Sequence, residues 1–319
     1  MTTPVRQSAL HPAGPMAESI FDVTLVLTLG ASVIFLGVMG LLVMALRRRA
    51  GTPVNTRLWL VGGGLVFPLV VLVALFVYSL RTSPPWRAMP PKDALIVGVT
   101  GHMWWWSLRY RDPVSGREVV SANEIRIPVG RPVYLGLTSA DVIHSFWVPA
   151  IGGKMDMMPG RVQHLLVQAD RPGVYRGQCA EYCGEQHARM ALHVVAMAPA
   201  DFDAWLQGQA QPVGTSAGQP TPAEPDELRR GRDAFLANRC SACHTVRGVA
   251  EESRLGPDLT HVGGRLQLGA GVLPNSPAAM ADWVAHVQRI KPGARMPSSD
   301  GRIDEATTRA IAAWLSSLK

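Results

Sequence analysis

The chain has 319 residues, 47% of them hydrophobic, and a formal net charge of +7. Length alone predicts about two domains at roughly 150 residues each, and the apolar content excludes disorder of the whole chain. Residues 1–92 hold eight basic and two acidic residues, whereas residues 93–210 and 211–319 carry net charges of −1 and +2. A nucleic-acid binder would concentrate Lys and Arg on a folded domain. The basic N-terminal third therefore indicates membrane topology and no nucleic-acid partner.

Two apolar runs dominate this N-terminal third. Residues 20–46 contain a single acid, Asp22, and residues 58–80 form the second run, while about 20 helical residues suffice to cross a bilayer. The first run is longer than the roughly 7–15 apolar residues of a signal peptide. Both runs are therefore predicted to be permanent membrane helices, a better fit to these lengths than two buried helices of a soluble domain. Four arginines in residues 47–57, against Arg6 alone in the N-terminal tail, place the connecting loop in the cytoplasm and both chain ends outside.

Short β-rich segments begin at residue 94. Within residues 132–138, Val133, Leu135 and Leu137 alternate with less apolar residues, the period-two pattern of a half-buried strand. The other strand candidates, separated by Gly, Pro and Asp turns, are Ala94–Val99, Glu124–Ile127, Ser145–Val148, Val162–Val167, Val174–Gln178 and His193–Ala196. This spacing predicts a small antiparallel sandwich or barrel.

The C-terminal third changes pattern again. Residues 207–225 are rich in Gln, Gly, Pro, Ala and Thr, which predicts a flexible linker. Helix candidates follow at Leu228–Asn238, Ala278–Arg289 and Glu305–Leu318, the last with apolar residues at three- and four-residue steps. The predicted order is thus a tail and membrane hairpin in 1–92, a β domain in 93–206, a linker in 207–225 and an all-α domain in 226–319.

The four cysteines form two close pairs, too few for a disulfide scaffold of this length. In the first pair, the thiols of Cys179 and Cys183 are followed by the His187 imidazole and the Met190 thioether, soft donors that suit copper. His144 can complete the set. Structural zinc, held by two Cys and two His, fits this spacing equally well. A disulfide and a Met190 that only fills the core remain further alternatives.

The second pair lies in Cys240-Ser-Ala-Cys243-His244. A C-x-x-C-H sequence attaches c-type haem, with its His as iron ligand, and the absence of a βαβ pattern around it disfavours thioredoxin-like chemistry. Met296 resembles the axial Met of class I cytochromes c, and Pro257 resembles the residue whose carbonyl orients the proximal imidazole. Met280 is the alternative axial ligand, although its apolar helix predicts a core position.

The first metal motif has a wider context. The segments Gly-His-Met-Trp-Trp-Trp at 101–106, His-Ser-Phe-Trp-Val-Pro at 144–149 and Gly-Gly-Lys-Met-Asp-Met-Met-Pro-Gly-Arg at 152–161, together with Cys-x-Glu-x-Cys-x-x-x-His-x-x-Met, closely resemble subunit II of haem-copper cytochrome c oxidases. That resemblance runs over nearly the whole chain. It implies a cupredoxin-like Greek-key barrel that holds two copper ions in a dinuclear CuA centre, followed by a cytochrome c domain with one covalent haem c.

The family's metal ligands carry over residue by residue. The resemblance implies bridging thiolates from Cys179 and Cys183, terminal imidazoles from His144 and His187, and weak ligation by Met190 and the Glu181 carbonyl. The Glu181 side chain resembles the family's ligand to a Mg or Mn ion shared with the catalytic subunit. Trp104 matches the tryptophan through which electrons reach CuA, although a tethered donor could approach from another face.

The resemblance implies an electron-transfer subunit of an oxidase that translocates protons in a respiratory chain. Electrons would pass from cytochrome c through the haem and CuA to subunit I, which reduces oxygen to water. Further implied partners are subunit III and membrane lipid, and the implied location is the bacterial inner membrane, with both redox domains periplasmic. The rival interpretations are a CuA-type nitric oxide reductase subunit and a copper-binding assembly protein. The family's proton-uptake Glu, seven residues before Pro68, is Val61 here, which leaves the proton route open.

Overall fold

The computed structural model describes residues 5–48, 53–82, 90–111, 116, 118–213 and 225–319. Its N-terminal part is a hairpin of two apolar helices, α1 (Pro15–Arg47) and α2 (Leu58–Thr82), each long and apolar enough to cross a membrane. The Ser19 hydroxyl at the start of α1 donates to the Thr82 carbonyl at the end of α2, at 3.0 Å. The two helices are therefore antiparallel, and Arg47, Arg48 and Arg57 lie at the opposite end of the hairpin.

The N-terminal tail is attached to the β domain. Strand β1 (Val5–Arg6) pairs in parallel with residues 174–175 of that domain, and the buried Ala13 donates its N–H to the Ala150 carbonyl at 2.7 Å. Gly14 allows the close approach, because a Cβ at this position would lie 1.9 Å from the Gln168 carbonyl oxygen. The tail and the β domain therefore lie at the same end of the helical hairpin.

The β domain consists of two facing sheets. Its strands are β2 (Leu95–His102), β3 (Trp105–Arg111), β4 (Glu118–Ala122), β5 (Glu124–Pro128), β6 (Val133–Ser139), β7 (His144–Trp147), β8 (Lys154–Met157), β9 (Gln163–Val167), β10 (Gly173–Cys179) and β11 (Ala191–Met197). One sheet has the order β4-β3-β2-β6-β9 and the other β5-β11-β10-β7-β8, with β1 beside β10. This is the cupredoxin-like architecture that the sequence resemblance implied.

The predicted antiparallel sandwich or barrel was wrong in one respect, because two of its strand pairs are parallel. Strands β2 and β6 pair in parallel, as do β5 and β11. The reason is that these neighbours are not consecutive: the chain crosses to another part of the barrel between them and returns in the same direction. The strand candidates also did not include β3, β4 and β8. Apolar and polar residues do alternate in β3 and β8, so a signal was present there, whereas β4, Glu-Val-Val-Ser-Ala, does not alternate clearly.

The predicted alternation is otherwise reproduced in the core. Val133, Leu135 and Leu137 are each at most 1% exposed and point between the sheets, where burial of such side chains contributes about 1.5–3 kcal/mol each. Helix α3 (Pro199–Ala210) closes one end of the core with the buried Phe202 and Leu206. Residues 207–210 of the predicted linker are the last residues of this helix, and residues 214–224 lie outside the described residues.

The C-terminal domain is helical, with α4 (Asp226–Ala237), α5 (Pro277–Ile290) and α6 (Glu305–Ser317) and a short hairpin of β12 (Gln267–Leu268) and β13 (Leu273–Pro274). Side-chain caps fix two of its helix starts: Ser276 Oγ accepts from the Ala279 N–H and Asp304 Oδ1 from the Thr307 N–H. Phe235 of α4 packs on Trp314 of α6, with ring centroids 5.1 Å apart.

Gly231 lets α4 and α6 cross closely, because a Cβ there would lie 2.1 Å from the Ala310 carbonyl oxygen. We expect Gly231→Ala to force the helices apart and to lower the free energy of unfolding of this domain by about 1–3 kcal/mol. Thermal unfolding followed by circular dichroism measures the effect. Gly208→Ala is the matched control, since no atom lies within 4 Å of its added Cβ. Equal transition midpoints for the two variants would contradict the close crossing.

Candidate metal and haem sites

The first metal motif forms the connection between β10 and β11. The Cys179 N–H donates to the Met190 carbonyl at 2.9 Å, which closes the loop at its base. Strand β7 lies beside β10 in the same sheet, with Phe146 opposite Cys179, so His144 at the start of β7 reaches the loop from the neighbouring strand. The hairpin and its neighbour thus bring residues 35 positions apart in sequence to one place.

All six donor groups predicted from the sequence meet around the two sulfurs. The measured pairs are Cys179 Sγ to Cys183 Sγ at 3.8 Å, Cys179 Sγ to His144 Nδ1 at 3.8 Å, Cys179 Sγ to the Glu181 carbonyl oxygen at 3.2 Å, Cys183 Sγ to His187 Nδ1 at 3.6 Å and Cys183 Sγ to Met190 Sδ at 3.8 Å. Each sulfur therefore has one imidazole nitrogen and one weaker donor near it. His144, both cysteines and Met190 are buried.

This donor set fits copper better than the alternatives. Structural zinc takes four ligands in a closed tetrahedron, whereas six donors converge here. The thioether of Met190 faces a sulfur inside the cluster rather than only filling the core, and thioethers and thiolates are the ligands that soft copper prefers. Both thiols are free, and the sulfurs lie 3.8 Å apart, well beyond the about 2.05 Å of a disulfide.

The pKa values of the two thiols are shifted in opposite directions. Hydrogen bonds from the Cys183 thiol and from His144 lower the pKa of Cys179 despite its burial. The same hydrogen bond between the two sulfurs raises the pKa of Cys183, together with burial and the charge on Cys179. Cys179 is therefore the thiol that loses its proton first. A metal that binds both sulfurs as thiolates must displace the second proton, as metal binding to thiols in general requires.

Asp141 orients the His144 ring and was missed by sequence reasoning. Its Oδ1 lies 2.9 Å from His144 Nε2, which leaves Nδ1 directed at the sulfurs. Burial alone would raise the pKa of Asp141, but hydrogen bonds from His144 and from the Met103 and Val142 N–H groups lower it. Its position three residues before His144 is the signal that could have found it, because carboxylates commonly hold the outer nitrogen of a ligating imidazole.

Trp104 lies directly against the loop of residues 180–190, which carries predicted copper ligands. Its indole Nε1 donates to the Cys183 carbonyl at 2.9 Å, and the side of Gly184 faces the same ring. The residue is only 9% exposed, because Gly293 of the helical domain approaches the other edge of the ring. The Glu181 side chain, by contrast, is exposed beside this loop, and its role as a Mg or Mn ligand stays a prediction.

The second cysteine pair folds into one helical turn. The N–H groups of Cys243 and His244 both donate to the Cys240 carbonyl, at 3.2 and 3.1 Å, so both free thiols and the imidazole project from a single turn. His244 Nδ1 lies 2.8 Å from the Pro257 carbonyl. A carbonyl only accepts, so Nδ1 carries the proton and Nε2 keeps its lone pair for a metal. Burial lowers the pKa of His244, which keeps the imidazole neutral, as a ligand must be.

The surroundings of His244 fit haem c. Gly256 makes room for the ring, since a Cβ there would lie 2.8 Å from His244 Cε1. Two buried guanidinium nitrogens, Nε of Arg247 and of Arg265, have no hydrogen-bond partner among the described residues, and the positive charge of Arg265 is close enough to lower the pKa of His244. Unpaired cationic donors of this kind suit the carboxylates of a haem.

The two candidate axial methionines differ in their environment. Met296 is half-buried in the loop after α5, where its carbonyl accepts from Gln288 Nε2 at 2.7 Å. Met280 is 2% exposed in the core of the helical domain, and its sulfur accepts from the Ser316 hydroxyl at 3.7 Å. Met280 is thus engaged in the core, as its apolar helix predicted.

Two segments of this chain match families of known proteins. Residues 114–197 match the family described as "Cytochrome C oxidase subunit II, periplasmic domain", and residues 228–319 match "Cytochrome c". Cytochrome c oxidase subunit 2 of Alkalihalophilus pseudofirmus is 32% identical over 98% of this chain and 91% of its own length, and that of Bacillus subtilis is 28% identical over 98% and 92%. The periplasmic domain of subunit II from Bradyrhizobium japonicum is 33% identical over 38% of this chain and 97% of its own, with a TM-score of 0.35.

We expect Asp141→Asn to weaken metal binding at the cysteine cluster by about 10–100-fold, because a neutral amide holds the outer nitrogen of His144 less firmly. Competition between the full chain and a chelator for added copper measures the affinity. Asp203→Asn, which removes an exposed carboxylate on α3, is the control and should leave the affinity at its original value. Equal affinities for both variants would show that Asp141 does not support the site.

Proposed function

This chain belongs to the cytochrome c oxidase subunit 2 family, and from that membership we propose that it passes electrons from a cytochrome c donor through its own haem c and a dinuclear copper centre to the haem-copper subunit I. Subunit I then reduces oxygen to water and translocates protons. The chain is the subunit II of an oxidoreductase complex, with a fused cytochrome c domain and two apolar anchoring helices. The observation that carries the finer proposal is the convergence of six donors on one pair of sulfurs.

The copper site is suited to electron transfer. Cys179 and Cys183 would bridge two copper ions, with His144, His187, Met190 and the Glu181 carbonyl as the remaining ligands. Two ions that share two thiolates supply a one-electron carrier. Five of these ligands lie on or at the start of a loop that is pinned at its base, and the donors His144, Cys179, Cys183 and Met190 are buried, which limits their movement between oxidation states and excludes a substrate from the metals.

The haem site follows from the helical domain. Cys240 and Cys243 would attach the haem through thioether bonds, and His244 and Met296 would be its axial ligands, with Pro257 fixing the imidazole. A thioether ligand raises the reduction potential of haem iron. The chain therefore supplies ligands that suit an electron acceptor for a soluble or membrane-bound cytochrome c.

The proposed topology places both redox domains in the periplasm of a bacterial inner membrane. Four arginines in residues 47–57 favour a cytoplasmic connection between α1 and α2. The pairing of β1 with β10, together with the contact between Ser19 and Thr82, supports a common side for the tail and the β domain. The match to a periplasmic domain family names the same side.

The proposed partners are subunits I and III, membrane lipid and the electron donor. Tyr182 is 75% exposed beside Cys183, and the Glu181 carboxylate next to it is free to share a Mg or Mn ion with subunit I. Val61 in α2 has no titratable group, so this chain offers no proton acceptor at that position.

Metal analysis with EPR of the purified chain tests the proposal. We expect two copper ions per covalent haem and a mixed-valence copper signal. One zinc ion and no copper would refute the dinuclear copper site. Turnover of the assembled complex with nitric oxide and not with oxygen would favour the nitric oxide reductase alternative. A bound copper that no reduced haem can reduce would favour the copper-assembly alternative.

We expect Cys183→Ser to abolish copper binding and oxygen consumption, because a serine hydroxyl does not replace a bridging thiolate. The haem should remain attached and reducible in this variant, since Cys240 and Cys243 are untouched. Metal content, oxygen uptake and the reduced haem spectrum are the measurements. Ala188→Ser, at an exposed position of the same loop, should retain copper and full oxygen uptake. Undiminished oxygen uptake in the Cys183→Ser variant is the result that rejects the proposal.

We expect Met296→Leu to lower the reduction potential of the haem, because a thioether ligand favours ferrous iron and the variant lacks that ligand. A redox titration of the haem spectrum in the purified chain gives the potential. Met280→Leu conserves volume in the core and should leave the potential in place. The opposite outcome, with the shift in Met280→Leu only, would assign the axial ligand to Met280.

A further inference from the structure

Lys291, the residue after α5, lies in the contact between the helical domain and the β domain. It is 3% exposed. Its Nζ donates three hydrogen bonds, each 2.8 Å long, to the backbone carbonyls of Trp104 and Arg189 in the β domain and of Gly269 in its own domain. An ammonium group has three N–H donors, so every one of them is used. Two of the three acceptors belong to the β domain, so these two hydrogen bonds form only when the domains are in contact.

The burial of this charge makes the contact specific. Removal from water lowers the pKa of Lys291 to about 7. A buried charge is tolerated when its hydrogen bonds are complete. A shift of the helical domain by one or two ångströms would break two of the three bonds and leave the ammonium buried and unsatisfied. The site therefore favours one seated position over a set of loose encounters.

Other contacts extend the same surface. The Ala191 N–H donates to the Ala270 carbonyl at 3.0 Å, and Arg189 Nη1 donates to the Ile290 carbonyl at 2.5 Å. At the far side, Glu124 Oε2 accepts from the Leu266 N–H at 2.7 Å. These bonds involve β5, β11 and the turn before β11, which holds the copper ligands His187 and Met190.

The contact around Lys291 also joins the two predicted redox sites. Trp104 accepts from Lys291 through its carbonyl and donates to the Cys183 carbonyl through its indole. Gly293, at a φ of +76°, brings the segment after Lys291 against the indole, where a Cβ would lie 3.4 Å from the ring. Met296 is five residues beyond Lys291, a distance of at most about 18 Å even in a fully extended chain.

We propose that Lys291 is a positioning residue that seats the haem-carrying domain on the Trp104 face of the copper domain and so sets the path between the two centres. This inference rests on the proposed function for the meaning of the path. The contact between the two domains around Lys291 does not depend on that function. It makes Trp104 an internal contact of this chain, because its carbonyl accepts from Lys291 and Gly293 lies against its indole.

Hydrogen exchange of the full chain, with haem and copper bound, tests the seat in the variant Lys291→Met, which keeps the stem and removes the three donors. The cross-domain amides of Ala191 and Leu266 should exchange at least tenfold faster. Amides inside the sheet, such as that of Val194, should exchange at their original rate, which excludes general unfolding. Arg289→Met removes a charge two residues earlier from an exposed pair with Asp282 and should change neither set.

Electron transfer from photoreduced haem to copper provides the second measurement. In Lys291→Met we expect a rate at least tenfold lower than in the original chain, with both reduction potentials unchanged. If Lys291→Met does not retain its haem or copper, Lys291→Gln, which keeps two donors, takes its place in both experiments.

The outcomes separate the two proposals. The positioning role is overturned if the amides of Ala191 and Leu266 exchange in the Lys291 variant at the same rate as in the unsubstituted chain. It is also overturned if the electron-transfer rate of the variant equals that of the unsubstituted chain. If no electrons pass between haem and copper in the unsubstituted chain, the proposed function is overturned instead. The amide exchange rates still decide whether Lys291 positions the helical domain.

Discussion

The pairing of β10 with β11 is the constraint on which the metal cluster depends. Their register places Gln178 opposite Ala191, and the Cys179 N–H bonded to the Met190 carbonyl is the next rung beyond it. Successive side chains of a strand point to opposite faces, so a slip of one residue would turn Cys179 away from Cys183 and from His144. The loop between the strands can be irregular because its two ends are fixed. Four of the six donors, counting the Glu181 carbonyl, belong to residues between Glu181 and Met190, and a fifth is Cys179 itself.

The β domain and the helical domain, which are separate in the sequence, meet at this end of the barrel. The loop of β10 and β11 presents the backbone carbonyl of Cys183 to Trp104, and the helical domain presents Lys291 to the carbonyl of the same tryptophan. Trp104 is therefore in contact both with the loop of residues 180–190 and with the segment that leads from Lys291 to Met296. The contacts that join the domains are mainly bonds to backbone groups, which depend on a definite relative position.

The sequence predicted those features that are local or that repeat with a short period. Val133, Leu135 and Leu137 alternate in the sequence and are buried in the structure, and the cysteine motifs stood out by spacing alone. The parallel pairs of β2 with β6 and of β5 with β11 depend on which distant strands meet, which no local pattern records. Asp141 acts through a ring three residues away, and a short-range search could have found it. Lys291 had no such signal, because its three acceptors are carbonyls that any residue type would supply.

The way the two domains are held has a consequence for solution conditions. Encounters between separate redox proteins are commonly guided by complementary surface charges and weaken as ionic strength rises, since the Debye length shrinks to about 8 Å at 0.15 M. Among the described residues, the ion pair across the domains is Arg295 with Asp141, at 3.9 Å and with the arginine largely exposed. Lys291 is shielded from mobile ions by its burial. Added salt should thus slow the delivery of electrons to this chain by an outside donor far more than it slows their passage within it.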